Sequence, residues 1–321
     1  MSRVGAQSIS LSVVLPVYNQ AESIPALLAR LCPVLNATGS DWEIIAVDDG
    51  SRDGSLAALQ AARLEEPRLR IIRLSRNFGK DAALAAGLRM ARGEAVILMD
   101  ADLQHPPETI PRLLSVHATG VDVVYGLRCS RLTEGWLRGA FSSSFYRLFS
   151  HAAEVPIPAN AGDFRLLSRR VVDALNALPE RKRFMKGLYA WVGFSQQAVL
   201  YEVEPRWAGS SRWSFFKLFG YAWNGLVAFS AAPLRFWSIA GSVIAAGSLG
   251  YAIWIGATTM LYGRGVPGYA TLAVAIFFLG GLQLISIGVL GEYVARIFDE
   301  AKQRPLFVVE EMFGFEGETD A

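Results

Sequence analysis

Ala95-Val96-Ile97-Leu98-Met99-Asp100-Ala101-Asp102 is a run of five apolar residues that ends on two acids two positions apart. A short apolar run of this length, preceded by the stop signal Gly93, reads as a buried strand. The two acids then stand at its carboxyl end. Working back toward the N-terminus, the same design recurs. Ile9 to Val17 reads as a strand closing near Pro16, and Trp42 to Val47 as a strand closing on Asp48-Asp49-Gly50-Ser51. Leu69 to Leu74 is a third. Helical patterns fill the gaps, from Asn19–Glu22 toward Leu35, at Ser55 to Arg63 and at Lys80 to Ala91. Strand alternating with helix at this spacing predicts an α/β fold, a mostly parallel sheet with helices on both faces.

Toward the C-terminus the pattern loosens. Pro106 to His117 reads as a helix, Asp122 to Tyr125 as a strand, and the aromatic stretch Glu134 to Ala153 as helical. Ala159 to Arg165 is irregular, Val171 to Leu178 helical, and Ser195 to Val203 alternates like a strand. Trp213 to Ala232 carries seven aromatic rings and one charge, Lys217, which predicts an interfacial helix with rings at headgroup depth. Packing of those rings on the soluble domain is the alternative.

The 56 positions from Phe236 to Gly291 then hold a single charge, Arg264. Two apolar runs, Phe236 to Tyr262 and Val266 to Gly291, each exceed the roughly 20 residues that span hydrocarbon. A soluble helix hairpin buried in a core is the competing reading, and it rarely needs two such runs apolar on every face. Arg206, Arg212, Lys217 and Arg235 precede the first run, and Arg296, Lys302 and Arg304 follow the second. The positive-inside rule puts both flanks in the cytoplasm and the loop from Gly263 to Gly268 outside. The predicted organisation is a cytoplasmic catalytic domain over 1–212 and an amphipathic interfacial segment over 213–233. A transmembrane hairpin follows over 234–296, with spans of about 236–262 and 266–292, and a cytoplasmic tail over 297–321. The last ten residues, Met312 to Ala321, read as frayed and acidic.

Composition excludes several classes. A formal net charge of +2 gives no reason to expect nucleic acid. Cys32 and Cys129 lack metal-ligand spacing, so two unpaired thiols are expected. The N-terminus is short and polar, without signal-peptide architecture. No Walker A lysine loop and no Gly-x-Gly-x-x-Gly follows the first strand.

Ligands of open α/β sheets bind beyond the carboxyl ends of the strands. Asp48-Asp49 and Asp100-Ala101-Asp102 fall there, with Asp163 in the irregular segment. Asp100 and Asp102 share a side of an extended chain and can reach one point, which invites a hard divalent cation, Mg²⁺ or Mn²⁺. A turn or salt-bridge role is the alternative for such a pair. His105, beside Pro106-Pro107, reads as loop packing rather than a metal ligand. Arg165 either pairs with Asp163 or serves the site. Lys80 heads a helix, an unfavourable place for a cation without an anionic partner, so contact with a donor or a carboxylate is expected. Arg181-Lys182-Arg183 reads either as an anion-binding run or as solvated surface.

Several segments together carry a resemblance. Val14 to Glu22 (VLPVYNQAE), Val47 to Gly54 (VDDGSRDG), Asp100 to Pro107 (DADLQHPP) and Arg73 to Lys80 (RLSRNFGK) are four of them. Gly162 to Leu166 (GDFRL), Arg206 to Trp213 (RWAGSSRW) and Gly291 to Ile297 (GEYVARI) are the others. The chain resembles the family 2, GT-A-fold glycosyltransferases, and among them the polyisoprenyl-phosphate branch that includes dolichol-phosphate mannose synthase and bacterial undecaprenyl-phosphate glucosyltransferases. The resemblance covers about residues 9 to 310. It implies a Rossmann-like GT-A catalytic domain followed by interfacial and two transmembrane helices. It also implies inverting transfer of a sugar from a nucleotide diphosphate to a polyprenyl phosphate at the inner membrane.

By the same resemblance, Pro16, Tyr18, Glu22, Asp48, Asp49, Lys80, Asp100 and Ala101 line the donor site. Asp100, Asp102 and Gln104 hold the metal, Asp163 is the base or an orienting group, and Arg128, Arg206 and Arg212 face donor or acceptor phosphates. Ser211-Arg212-Trp213 stands where the family commonly has Ser-Lys-Tyr, keeping one charge and one ring. The Arg76-to-Lys80 form is most similar to the glucosyltransferase subset, implying UDP-glucose as the UDP-hexose donor. N-acetylglucosamine, galactose, mannose or a modified pentose stay open as the sugar. Relatives form tetramers, so a homo-oligomer is expected. The rival of another class is a non-enzymatic scaffold or flippase subunit; two spans are few for a monomeric transporter, and the acids argue against an inert scaffold.

Overall fold

The computed structural model describes residues 10–128, 161–180, 183–202, 204, 232–262 and 268–315. Eight strands form one sheet in the order β7-β5-β6-β4-β1-β2-β3-β8. The first half follows the alternation read from the sequence. Strands β1 (Leu11–Val17), β2 (Trp42–Asp48), β3 (Leu69–Leu74) and β4 (Ala95–Leu98) alternate with helices α1 (Ser23–Ala37), α2 (Ser55–Glu65) and α3 (Lys80–Met90). β1 pairs in parallel with both β2 and β4, and β2 with β3. Their side chains are apolar on both faces because both faces are covered. Leu11, Val13, Leu15 and Val17 face Ile24, Leu27, Leu31 and Leu35 of α1. Val14, Ile45, Val47, Ile72 and Leu74 face α3 on the other side. Alanine and glycine dominate the inner face of α3, so it lies close to the sheet. A Cβ added at Gly87 would come within 2.2 Å of Val14 Cγ1.

The second half departs from a parallel plan, giving a mixed sheet. After β4 comes a 3₁₀ turn at Pro107–Thr109 and helix α4 (Ile110–His117), then β5 (Val123–Arg128). β6 (Ala161–Ser168) lies between β4 and β5 and runs antiparallel to both. Helices α5 (Arg169–Ala177) and α6 (Met185–Trp191) precede β7 (Gln196–Tyr201), which pairs in parallel with β5. β6 corrects the expectation of irregular chain at Ala159 to Arg165. Arg165 suggested a loop, yet it is 1% exposed. Its guanidinium lies 4.5 Å from the Tyr189 ring and 5.5 Å from Tyr125, and its Nε donates to the Gly162 carbonyl at 3.0 Å. It forms no ion pair with Asp163 among the described residues. An aromatic lining makes this buried cation tolerable.

Helices α7 (Ala232–Tyr262) and α8 (Tyr269–Ala301) contain segments long and apolar enough to cross a membrane, Phe236–Tyr262 and Phe278–Ala301, and no described residue of either is buried. They are not the core of a water-soluble body. α8 continues unbroken past Gly291, through the Glu292–Arg296 pair, to Ala301. The aromatic stretch before α7 and the helix expected at Glu134 to Ala153 lie outside the described residues.

After both helices the chain returns to the sheet. β8 (Val309–Phe313) pairs antiparallel with β3, so Met312 and Phe313 lie in the sheet where a frayed end was expected, and residues 316–321 of that end lie outside the described residues. Arg70 fixes the return: its Nε donates to the Gly314 carbonyl at 3.0 Å, its Nη1 meets Glu43 Oε2 at 2.9 Å, and its guanidinium lies 3.9 Å from the Phe315 ring. Glu43, 2% exposed, also accepts from the Ser12 hydroxyl and the Arg92 N–H.

Candidate active site

The carboxyl ends of β1, β2 and β4 and the first residues of β6 bring most of the expected acids to one edge of the sheet. At the end of β1, Pro16 is half-buried, while Tyr18 and Glu22 are exposed. Asn19, at φ 53°, accepts from the Arg52 N–H and donates its own N–H to Ser51 Oγ, which binds the β1 and β2 loops together.

At the end of β2 the two acids do different work. Asp48 is fully buried; its Oδ1 accepts from the Ser51 N–H at 3.1 Å, and its Oδ2 has no hydrogen-bond partner among the described residues. A buried carboxylate oxygen left without a donor is costly unless a ligand supplies one. Asp49 instead reaches across to the β3–α3 loop, where its oxygens accept from the N–H groups of Phe78 (2.7 Å) and Gly79 (2.9 Å). Burial pushes its carboxyl above the ordinary range, with those two amides working against the rise. Between them Gly50 has φ 64°, and a Cβ there would lie 2.5 Å from the Arg76 carbonyl carbon. Only glycine permits loops this close.

At the end of β4 the acidic turn is held from both sides. Ser23 Oγ donates to the Ala101 carbonyl at 2.7 Å, and Asp102 Oδ1 accepts from the Gln104 N–H at 3.1 Å. Gln104, expected beside Asp100 and Asp102 at the metal, thus fixes Asp102 through its backbone amide. Leu103 takes φ 62°, a conformation that costs a bulky residue roughly 1–3 kcal/mol. His105 helps hold it. The ring is 1% exposed, stacks on Phe164 at 5.0 Å and accepts from the Asp100 N–H at Nδ1, a packing role as expected.

Lys80 joins these parts. From the first turn of α3 its Nζ lies 2.5 Å from Asp100 Oδ1 and 2.6 Å from Asp163 Oδ2. Burial opposes the ammonium, yet the two carboxylates hold its pKa above the ordinary lysine value. Burial likewise opposes ionisation of Asp100 and Asp163, and Lys80 overrides it, leaving both carboxyls below their usual range. The second oxygen of Asp163, Oδ1, is buried without a hydrogen-bond partner among the described residues.

Asp81 was not foreseen. An acid in a first helical turn reads as a simple complement to the helix dipole. Here burial first, and Asp163 second, push its carboxyl up to about 7, against Lys80, Lys186 and the Met185 N–H. A folded-state value above the unfolded one, about 4, gives stability that is complete below pH 4 and lost as pH rises through 7. Asp81→Asn should therefore gain on the wild type between pH 5 and 8 in unfolding midpoint. A difference that stays constant across that range would remove Asp81 from the site's charge balance.

Not every expected residue is placed. Arg128 ends β5 opposite Tyr201, but its side chain, like Arg206 and Arg212, lies outside the described residues. Arg183 donates to the Leu178 and Glu180 carbonyls and so closes the end of α5 rather than facing an anion. Among the described residues no three Asp, Glu, His or Cys side chains converge as a metal cluster. The donor chemistry still suits a hard divalent cation. Asp100 and Asp102 offer only oxygens, and the Lys80 ammonium already stands in as a positive charge on Asp100.

Comparison with known proteins places this geometry among relatives. The sequence profile of glycosyl transferase family 2 matches residues 12–175. An uncharacterized glycosyltransferase of Synechocystis is 47% identical over 96% of this chain and 97% of its own length. The bactoprenol glucosyl transferase of Shigella phage SfV is 40% identical over 94% of this chain and 98% of its own. Among solved structures, glucosyl-3-phosphoglycerate synthase from Mycobacterium tuberculosis, with Mn²⁺, uridine diphosphate and phosphoglyceric acid, aligns at a TM-score of 0.48. That match is 19% identical over 68% of this chain and 76% of that one, too distant to argue from.

Proposed function

The chain belongs to glycosyl transferase family 2, and from that premise we propose that it transfers glucose from UDP-glucose to undecaprenyl phosphate. The transfer takes place at the cytoplasmic face of the membrane, where the hairpin of α7 and α8 holds the catalytic domain. The observation that carries this reading is the 40% identity to a bactoprenol glucosyl transferase, which extends through the apolar helices as well as the catalytic sheet. A lipid acceptor explains why an acidic strand-end site is built into a chain with two membrane-long helices.

The acceptor is a phosphate monoester, largely ionised near neutral pH. Its oxygen attacks the anomeric carbon without first losing a hydroxyl proton, so the demand on a general base is small. Asp163, held by Lys80, orients the acceptor as much as it deprotonates it. Asp48 Oδ2 is available to accept an N–H from the nucleotide base, and Tyr18, exposed just beyond the end of β1, offers a ring for that base to stack on. Asp49 acts indirectly: by pinning the Phe78 and Gly79 amides it sets where Lys80 enters. Mg²⁺ or Mn²⁺ held by Asp100 and Asp102, with Gln104 beside them, would screen the charge of the departing diphosphate. Arg128, Arg206 and Arg212 draw the lipid phosphate toward the donor. In-line attack inverts the anomeric centre, so an α-linked donor gives a β-linked lipid product. Homo-oligomers form through the small-residue faces of the two helices.

The test uses the purified full chain in detergent with radiolabelled UDP- and GDP-sugars, undecaprenyl phosphate, and Mg²⁺, Mn²⁺ or chelator. Label from UDP-glucose should move into an organic-extractable product in a lipid- and metal-dependent way. Transfer from another sugar alone would replace glucose. Release of free sugar without lipid dependence would overturn the acceptor.

A further inference from the structure

Lys80 is a costly residue in its place. A cation in the first turn of a helix opposes the helix dipole, and this one is also pressed between two acids, Asp100 at 2.5 Å and Asp163 at 2.6 Å. Those two acids come from different strands, β4 and β6, and without a positive charge between them they would repel each other. The Asp100 oxygen that Lys80 occupies belongs to the same pair, Asp100 and Asp102, whose oxygens suit a divalent cation. An ammonium and a divalent ion cannot share that oxygen without strong mutual repulsion. One must give way as the other arrives.

We infer that Lys80 is the resident counter-cation of the empty site, and that it yields Asp100 to a divalent ion only when a donor diphosphate arrives. This rests on the reading above that Asp100 and Asp102 hold the metal. The diphosphate brings negative charge that can take up the displaced ammonium, so the metal and the nucleotide each favour the other. Such coupling is reciprocal: whatever factor the nucleotide adds to metal affinity, the metal adds to nucleotide affinity. Lys80 then makes the site selective for the metal–nucleotide pair over free metal.

The experiment measures Mn²⁺ binding by electron paramagnetic resonance on the detergent-purified full chain, with and without UDP, in the wild type, Lys80→Met and Lys80→Arg. Wild type and Lys80→Arg should bind Mn²⁺ at least tenfold more tightly when UDP is present. Lys80→Met should bind Mn²⁺ without UDP at least tenfold more tightly than the wild type, and gain little more from UDP. Its unfolding midpoint should also rise with Mn²⁺ alone by more than that of the wild type, a readout that survives if the variant folds poorly. Lys80→Met binding Mn²⁺ no more tightly than the wild type, or showing no larger rise in midpoint, would overturn the inference. No sugar and no lipid enter these measurements. Absence of glucose transfer beside an intact Lys80→Met effect would therefore sink only the choice of substrates.

Discussion

Asp102→Ala is expected to lower glucosyl transfer by at least about a hundredfold while the folded chain survives. Losing one preorganised charge-stabilising group from an active site costs about 10²–10³ in rate. Asp102 stands in a turn, 7% exposed, and among its contacts the one to the Gln104 N–H is an ordinary hydrogen bond, worth about 0.5–1.5 kcal/mol. Asp102→Asn sharpens the test, because the amide oxygen keeps that bond and only the charge is lost. Both variants should show near-zero turnover at limiting Mn²⁺, with Asp102→Asn unfolding close to the wild type and Asp102→Ala no more than modestly destabilised. An Asn variant with close to wild-type rate would mean that Asp102 shapes the loop and holds no metal.

The largest effect on stability should follow from Arg70→Ala. Glu43 is 2% exposed and Arg70 5%, and the pair is joined at 2.9 Å. Removing the guanidinium leaves Glu43 in the interior with the longer contact to Arg92 Nη2 at 3.4 Å, the Ser12 hydroxyl and the Arg92 N–H to compensate. Breaking a buried pair in this way costs about 3–5 kcal/mol. The loss also has an address, since Arg70 is what holds Gly314 and Phe315 beneath the sheet. Hydrogen exchange should therefore speed up first over Val309–Phe313 and only later in the central strands. An unchanged unfolding midpoint, or exchange that rises evenly across the sheet, would show that the pair holds neither the core nor β8.

The two predictions draw on parts of the chain that were not equally legible. β1 to β4 could be read because each is an apolar run closed by a turn signal, and their carboxyl ends fixed where acids would gather. Lys80 was half legible: the helix dipole demanded an anionic partner, and the fold supplied Asp100 and Asp163. β6 was not, because Asp163 and Arg165 interrupt its apolar pattern, and only the Tyr125 and Tyr189 rings make Arg165 acceptable inside. β8 was hidden for another reason. Val309-Glu310-Glu311-Met312-Phe313 is polar on its outer side and separated from β3 by two apolar helices, so nothing local names its partner. Asp81 lay beyond pattern altogether, since its behaviour depends on neighbours from two other segments, Asp163 in β6 and Met185 and Lys186 in α6.

The position of β8 sets an order on biosynthesis. Its partner β3 leaves the ribosome more than two hundred residues earlier, so the sheet must wait with one border open. Both apolar helices have to be made before that border can be sealed. β8 thus acts as a receipt for a finished chain: one that stalls before it is made keeps an unpaired edge on β3, open to aggregation and to quality-control proteases.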